Sequence, residues 1–256
     1  MSSTANKPGT IPELSVQERV ATITLQRPDQ ANRLGPDDLA AIYDHIETVN
    51  AMPEVLVLKL KSSGKYFCSG YDISRIGAGR AVSFESTVDA LEAARPVTIA
   101  LVHGGVYGGA TDMALACDFR IGTPATDMFM PAARLGLHYY VSGMERYVAR
   151  LGINAALRLF LTAERIDAVE MFRIGYLTHL GTADELTATD EQLTAMIAGM
   201  APLPLLAMKK HLNRIARGTV DMADLQRDIA AAAASADLQE GRAAWQEKRA
   251  PNFVGR

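Results

Sequence analysis

Residues 103–118 read HGGVYGGATDMALACD, and this stretch carries the strongest local signal in the chain. An apolar run at 97–102 precedes it, and residues 111–116 within it are helix-forming. The glycines between them predict a strand-to-helix turn, where a ligand can approach the backbone and meet its N–H groups. Asp112 lies in the first turn of the predicted helix. Amides that hold a developing negative charge, beside a carboxylate that moves a proton, indicate an enolate-type active site.

Strand and helix patterns alternate on both sides of this turn, and from about residue 143 helical patterns dominate. This order favours an α/β fold with a helical C-terminal part. Strands are predicted at 18–26, 55–60, 97–102, 119–122 and 176–180. Helices are predicted at 36–50, 84–94, 111–116, 143–151, 153–162, 167–173, 187–200, 203–217, 221–235 and 237–247. We expect a disordered tail over 1–11, a core over 12–200 and a helical region over 201–256.

The composition is that of a packed globular protein: of 256 residues, 48% are hydrophobic and 21% are charged. The formal net charge of −3 does not favour a nucleic-acid partner. The N-terminus lacks the apolar core of a secretory signal, and no stretch reaches the roughly 18 apolar residues of a membrane span. We therefore expect a cytoplasmic protein that does not insert in a membrane.

Two cysteines, Cys68 and Cys117, lie in apolar or glycine-rich contexts and not in a CxxC pattern. They predict neither a metal site nor a disulfide framework, and we expect both to be small buried apolar residues. The glycines of GGVYGG match neither GxGxxG nor GxxxxGK[ST]. The sequence therefore indicates no dinucleotide-binding or nucleotide-phosphate loop.

Three segments, in this order and spacing, resemble one family. They read FCSGYDI at 67–73, GGATDMALACD at 108–118 and MPAARLGL at 130–137, and the tail EKRAPNF at 247–253 adds to the likeness. The enoyl-CoA hydratase/isomerase family, also called the crotonase superfamily, has the patterns F-x-[AS]-G-x-D-[IL], G-G-G-x-E-L-A-x-x-C-D and P-E-x-x-[IL]-G. The resemblance covers about residues 12–256.

This resemblance implies a ββα spiral core over 12–200 that binds an acyl-CoA thioester, and a C-terminal helical trimerisation region. The expected assembly is a homotrimer or a dimer of trimers. Coenzyme A is part of the substrate, and neither a separate cofactor nor a metal is implied. By the resemblance, the backbone N–H groups of Tyr71 and Gly109 form an oxyanion hole for the thioester oxygen, and Asp72 and Ile73 lie along the bound coenzyme A.

The chain departs from the hydratase pattern at both catalytic glutamates. Hydratases of this family add water with one glutamate in the GGGxE helix and one in the PE motif, because hydration needs both a base and an acid. Asp112 stands at the first position and Ala132 at the second. Ala132 cannot transfer a proton, so ordinary two-glutamate hydration is disfavoured. Asp112 has a second interpretation as a helix cap, since an acidic side chain there stabilises the helix dipole by about 0.3–1 kcal/mol.

The loop at 137–143, LHYYVSG, is bulky and aromatic where hydratases carry small residues. It resembles the methylmalonyl-CoA decarboxylase branch, in which a tyrosine at the position of Tyr139 orients the substrate carboxylate. That branch has a histidine at the position of Tyr71 and a glutamate at that of Asp112, which this chain lacks. Four other polar residues of the region each have two interpretations. In the first, the side chain supplies a proton or replaces the missing carboxylate; in the second, it packs in the loop, interacts with a helix dipole or forms an ion pair. These residues are His138, Tyr140, Glu145 and Arg134.

The sequence thus predicts an acyl-CoA enzyme of lyase or isomerase type, active in fatty-acid metabolism. Asp112 and Tyr139 are the candidate catalytic side chains. Decarboxylase-like C–C cleavage and a catalytically weak acyl-CoA-binding protein remain as alternatives.

Overall fold

The computed structural model describes residues 10–75 and 82–256. The strands are β1 (Thr10–Gln17), β2 (Val20–Gln26), β3 (Val57–Ser62), β4 (Val97–Val102), β5 (Val106–Tyr107), β6 (Phe119–Gly122), β7 (Asp127–Phe129), β8 (Ile166–Asp167) and β9 (His179–Leu180). The helices are α1 (Pro36–Asn50), α2 (Phe84–Ala93), α3 (Gly109–Ala116), α4 (Val141–Leu151), α5 (Ile153–Thr162), α6 (Ala168–Arg173), α7 (Ala183–Ala198), α8 (Pro202–Ala216), α9 (Met222–Ala233) and α10 (Ala236–Glu247).

Two sheets run through the described chain. The larger has the strand order β1-β2-β3-β4-β6-β9, with β1 antiparallel to β2 and every other pair parallel. The smaller has the order β5-β7-β8, in which β5 and β7 are parallel. Parallel strands need helical crossovers that cover the sheet, which explains why β4, VTIALV, is apolar and almost wholly buried.

Helix α3 lies in the interior and packs against β5, α2 and α4. Every side chain from Ala110 to Ala116 is buried. Its polar Thr111 is satisfied within the core, because its hydroxyl lies 2.5 Å from the Tyr147 hydroxyl and its carbonyl accepts from Tyr176 at 2.7 Å. A helix surrounded by protein fixes the position of its first residue, which is Gly109.

The predicted helices and strands with a strong apolar periodicity are confirmed. Helix α1 buries the face of Leu39, Ile42, Ile46 and Val49, and β4, β6 and α5 have the predicted bounds. Three short strands, β5, β7 and β8, were not predicted, since two or three residues show no period. The predicted strand at 176–180 is reduced to β9. Both Cys68 and Cys117 are buried, and burial raises each thiol's pKa to about 12.

The predicted tail over 1–11 is wrong at its last two positions. Thr10 and Ile11 belong to β1, where Thr10 is paired with Gln26. Strand β1 was not predicted because its outer face is exposed and its pattern is polar. Residues 1–9 lie outside the described residues. Within 10–75 and 82–256, no helix combines the length and apolar character that a membrane crossing requires.

Candidate active site

A cavity of about 520 Å³ opens beside the start of α3. The three segments that carry the sequence signal all contribute to its wall, with residues 69–71, 107–109 and 129–132. Helix α2 adds Phe84, and the aromatic loop adds residues 137–140. The chain therefore brings its predicted motifs together around one pocket of the size that ligand sites have.

Two glycine turns meet at this wall. Gly70 has a φ of +98°, and a Cβ there would lie 2.7 Å from the carbonyl oxygen of Tyr107 and 3.4 Å from the nitrogen of Gly109. Only glycine combines that φ with so close an approach. A parallel bridge between Leu34 and Tyr71 holds the first turn in place. The backbones of Tyr71 and Gly109 thus line the same pocket from adjacent turns.

Gly109 is the first residue of α3, after Gly108 with a φ of +53°. Backbone N–H groups in the first turn of a helix have no acceptor within the helix, and the helix dipole makes that end positive. The ring of Phe84 covers the Cα of Gly109, because a Cβ there would lie 2.7 Å from Cζ of Phe84. A ligand oxygen at this position therefore meets a donor group beside an apolar ring.

Asp112 lies one turn into α3, fully buried and outside the cavity wall. Its Oδ1 accepts from the guanidinium of Arg146 at 2.6 Å. Its Oδ2 accepts from the hydroxyl of Tyr139 at 3.2 Å and from the hydroxyl of Tyr140. Both carboxylate oxygens are therefore engaged by protein groups, and the two phenols lie between the carboxylate and the cavity.

Arg146 joins the pocket to a charged cluster on α2. Its side chain is fully buried and donates to Asp89 at 2.7 Å, while its Nε lies 3.1 Å from Glu92. Glu92 also pairs with Arg217 on α8. A buried carboxylate needs such a partner, since an unpaired charge in the interior costs several kcal/mol.

The phenols on Asp112 are held in their neutral form. Burial, and next the charge of Asp112, raises the pKa of Tyr139 well above its ordinary value. The same two causes, in the same order, raise the pKa of Tyr140. Both hydroxyls therefore remain hydrogen-bond donors over the whole physiological pH range.

Gly143 makes this arrangement sterically possible. A Cβ on Gly143 would lie 2.4 Å from the Tyr139 ring and 2.7 Å from Oδ2 of Asp112. The backbone at Gly143, in the first turn of α4, therefore packs directly against the Tyr139 ring and the Asp112 carboxylate. Stacking of the two tyrosine rings, with centroids 4.5 Å apart, completes the cluster.

The remaining predicted residues fall into two groups. Ile73, Ala132 and His138 line the cavity, with Ala132 buried and the His138 ring at the exposed mouth. Asp72 does not line it, since its carboxylate accepts from the backbone and hydroxyl of Ser74, and these bonds lower its pKa. Arg134 donates to the carbonyls of Thr162 and Ala163.

The helix predicted at 143–151 begins earlier, at Val141, so Glu145 lies beyond the first turn of α4 and is not a dipole partner there. Its carboxylate pairs with Arg217 at 3.0 Å. The residue lines a second, charged cleft between α2 and α8, which has a volume of about 1010 Å³. Glu145 thus takes no place in the candidate site.

Sequence reasoning missed Arg146, Asp89, Glu92 and Phe84. One signal was available for Arg146: a carboxylate placed in the apolar helix α3 demands a buried cation. Only long-range packing identifies which arginine supplies it, because α2, α3 and α4 meet at this point.

One group of possible metal ligands occurs in the described part of the chain, remote from the cavity, and consists of His211, Asp224 and Asp228. Lys210 lies 2.8 Å from Asp224 and 2.5 Å from Asp228. Arg214 also pairs with Asp224. Protein cations therefore already neutralise these carboxylates.

Known proteins resemble this chain along nearly its whole length. The family model described as enoyl-CoA hydratase/isomerase matches residues 15–256. The crotonyl-CoA hydratase of Syntrophomonas wolfei is 30% identical over 253 residues, which cover 95% of this chain and 97% of that protein. The methylmalonyl-CoA decarboxylase of Escherichia coli is 27% identical over 250 residues, covering 93% and 95%. The crystal structure of an enoyl-CoA hydratase from Bacillus anthracis superposes with a TM-score of 0.87 at 26% identity, covering 96% of this chain and 100% of that one.

Proposed function

This chain belongs to the enoyl-CoA hydratase/isomerase family, and we propose that it binds an acyl-CoA thioester in the 520 Å³ cavity and stabilises its enolate with the backbone N–H groups of Tyr71 and Gly109. The observation that carries this proposal is the contact between the two glycine turns, which brings both backbones to one wall. Backbone donors suit a developing oxyanion because they need little reorganisation, and loss of one costs about 3–4 kcal/mol.

We infer that the protein is a lyase or isomerase that does not use the two-glutamate hydration mechanism. Ala132 lies at the pocket wall, where the family pattern has its second glutamate, and offers no proton. Asp112, at the first position, accepts hydrogen bonds from the hydroxyls of Tyr139 and Tyr140 at the pocket wall. A single carboxylate supports the making and breaking of an enolate better than it supports hydration, which needs an acid and a base.

A decarboxylase-like C–C cleavage is the second candidate. By the resemblance, Tyr139 at the pocket wall orients a substrate carboxylate, to which its hydroxyl would donate in place of Asp112, and an apolar Ala132 does not repel that anion. Cleavage of this kind needs the oxyanion hole but no base to activate water. The relationship to a methylmalonyl-CoA decarboxylase, at 27% identity, adds weight to this candidate.

The oxyanion role of Gly109 is tested by a pair of substitutions. Gly109→Ala and Gly109→Pro both add a Cβ toward Phe84, but only proline removes the N–H group. Proline is tolerated at the first position of a helix, so the fold of α3 is preserved. We expect Gly109→Pro to lower turnover roughly 100-fold to 1000-fold below Gly109→Ala. Equal turnover of the two variants would remove the oxyanion hole from the proposal.

The acyl group is identified with a panel of enoyl-CoA, saturated acyl-CoA and malonyl-type thioesters. Turnover of enoyl substrates supports lyase or isomerase chemistry, and release of CO₂ from malonyl-type substrates supports the second candidate. Tight binding in calorimetry without any turnover would instead indicate an acyl-CoA-binding protein with little catalytic activity.

The proposed assembly is a homotrimer, alone or as a dimer of trimers. Large apolar side chains are exposed on the outer faces of α5, α6 and α8, including Leu161, Phe172 and Leu212, and such faces are typical of interfaces. Light scattering tests this assembly, since a monomer would exclude it. The proposed setting is the cytoplasm, and coenzyme A enters as part of the substrate with no separate cofactor.

A further inference from the structure

Phenol groups separate the cavity from the Asp112 carboxylate. Asp112 is fully buried and does not line the cavity, whereas Tyr139 and Tyr140 line it and donate to Oδ2. The guanidinium of Arg146 donates a hydrogen bond to Oδ1 of Asp112. A proton that moves between a bound thioester and this carboxylate must therefore pass through a tyrosine hydroxyl.

Ring contacts connect Tyr140 to the proposed oxyanion position through Phe84. The Tyr140 ring meets Phe84 edge-on at 6.2 Å between centroids, and Phe84 covers Gly109. Tyr139 stacks on Tyr140 and packs at 5.2 Å against Phe160. The contacts thus follow the order Gly109, Phe84, Tyr140 and Tyr139.

We propose that Tyr140 relays a proton between the α-carbon of the bound thioester and Asp112, with Arg146 as the positioning residue; this relay rests on the proposed function. The α C–H bond breaks and its proton bonds to the Tyr140 oxygen, while the proton of Tyr140 moves along its hydrogen bond to Oδ2 of Asp112. The electron pair of the broken bond passes to the thioester oxygen as the enolate forms. Asp112 becomes a neutral acid, Tyr140 is neutral before and after, and the reverse step returns the proton to carbon.

The chemistry of Tyr140 suits a proton relay, and that of Asp112 suits the final proton acceptor. Burial raises the pKa of Tyr140, so the phenol passes a proton on and does not store a negative charge. Asp112 is one methylene shorter than the glutamate of the family pattern. Tyr140 lines the cavity, and its hydroxyl donates to that shorter carboxylate.

Arg146 determines which carboxylate oxygen takes part. It donates to Oδ1 of Asp112 on one side and is held by Asp89 and Glu92 on the other. A guanidinium fixed from both sides keeps Oδ1 engaged, so Oδ2 remains directed at the hydroxyls. Arg146 itself does not line the cavity, and its effect on the reaction is indirect.

The relay is tested by exchange of α-hydrogens. Butanoyl-CoA is incubated with the protein in D₂O, loss of the α-proton signal is followed by NMR, and calorimetry gives the dissociation constant of the same thioester. We expect Tyr140→Phe to lower the exchange rate roughly 100-fold, with little change in the dissociation constant. Tyr139→Phe removes the other hydroxyl on Oδ2 and tests whether that phenol carries the proton instead. Tyr176→Phe is the matched control, because it removes a buried hydroxyl that bonds to the backbone of α3 outside the cavity wall, and it should retain most of the exchange.

Arg146 is tested by comparing Arg146→Lys with Arg146→Met. Lysine retains a cation near Oδ1, so exchange should recover in part relative to methionine while the dissociation constant is the same for both. Equal exchange by the two variants, each confirmed as folded by circular dichroism, would overturn the positioning role.

Exchange that survives Tyr140→Phe, or that is lost only in Tyr139→Phe, would overturn the relay. A protein that binds butanoyl-CoA without exchanging its α-hydrogens would overturn it as well, and would leave the proposed binding function standing. A protein that binds no acyl-CoA thioester of any kind would overturn both. The two failures are therefore distinguishable.

Discussion

Asp112 and Arg146 form an ion pair of 2.6 Å in which neither side chain is exposed to solvent. The pair joins α3, which begins at the pocket wall, to α4, which carries the end of the aromatic loop. A buried pair contributes little net stability when intact, but removal of one partner leaves the other charge without compensation. This ion pair thus connects the site to the core.

Removal of the cation should therefore destabilise the protein strongly. We expect Arg146→Met to lower the free energy of unfolding by about 3–5 kcal/mol. Adding Asp112→Asn to that variant should recover part of the loss, because it removes the uncompensated charge, so the two changes will not be additive. Urea denaturation measures both. The exposed pair of Arg173 and Glu170 supplies the control, since Arg173→Met should leave stability nearly unchanged.

A second substitution tests the packing of α4 on the cluster. Gly143→Ala places a Cβ 2.4 Å from the Tyr139 ring and 2.7 Å from Oδ2 of Asp112. Overpacking of this kind should cost about 1–3 kcal/mol of stability and lower turnover, because both groups must shift. Gly241→Ala is the matched control on α10, where the added Cβ meets only Phe253 at ordinary contact distances. It should be neutral or slightly stabilising, because alanine is the better helix former. Equal effects of the two substitutions would contradict the tight packing at Gly143.

The buried phenols predict a loss of stability in alkali. Burial raises the pKa of Tyr139, Tyr140 and Tyr147 above the ordinary value. Below about pH 10, both the folded and the unfolded chain keep these protons, and pH has no effect through them. Above it, the unfolded chain releases protons first, so the free energy of unfolding falls as pH rises, by up to about 1.4 kcal/mol per pH unit for each tyrosine.

Denaturation with urea at a series of alkaline pH values measures that slope. Tyr140→Phe removes one of the titrating groups and should make the slope shallower. An identical slope in the variant and the wild type would show that Tyr140 ionises as easily in the folded protein as in the unfolded chain.

A carboxylate introduced at position 132 should move the chain toward hydration. Ala132 lines the cavity, and Ala132→Glu gives the pocket an acidic group where the family pattern has one. We expect the hydration rate of a short enoyl-CoA to rise at least tenfold, since a general acid or base contributes roughly 10²–10⁴-fold. The rate is followed by the loss of the enoyl thioester's ultraviolet absorbance. Ala132→Gln has nearly the same size without the acid, and a similar gain in that variant would assign the effect to pocket shape.

The sequence predicts those helices, strands and turns that are determined by neighbouring residues in the chain. Helix α1 and strand β4 follow from their apolar periods, and the turn before α3 follows from its glycines. The pocket wall is predictable because Tyr71, Gly109 and Ala132 each lie in a recognisable motif. Local sequence patterns do not predict which residue pairs with a buried charge. Arg146 is an ordinary residue of an amphipathic helix until α2 and α3 pack against it.

The two catalytic candidates illustrate the same limit. Asp112 was predicted as a group that meets the ligand, yet the fold places two hydroxyls between it and the cavity. Tyr139 was predicted to face the substrate, and it does line the pocket, but its hydroxyl donates to Asp112. Residues 139 and 140 are 27 or more positions from Asp112 in the chain, so only tertiary structure can bring them into contact.

The complete burial of α3 has a consequence for how this pocket can diversify. Amides at 110–116 should exchange with solvent only when the whole core opens, and the wall that carries Gly109 is then as durable as the fold itself. The facing wall, built from Phe84 and the loop at 137–140, is more exposed and carries less of the core. Changes of ligand preference can therefore accumulate on that wall while the wall that carries Gly109 remains constant.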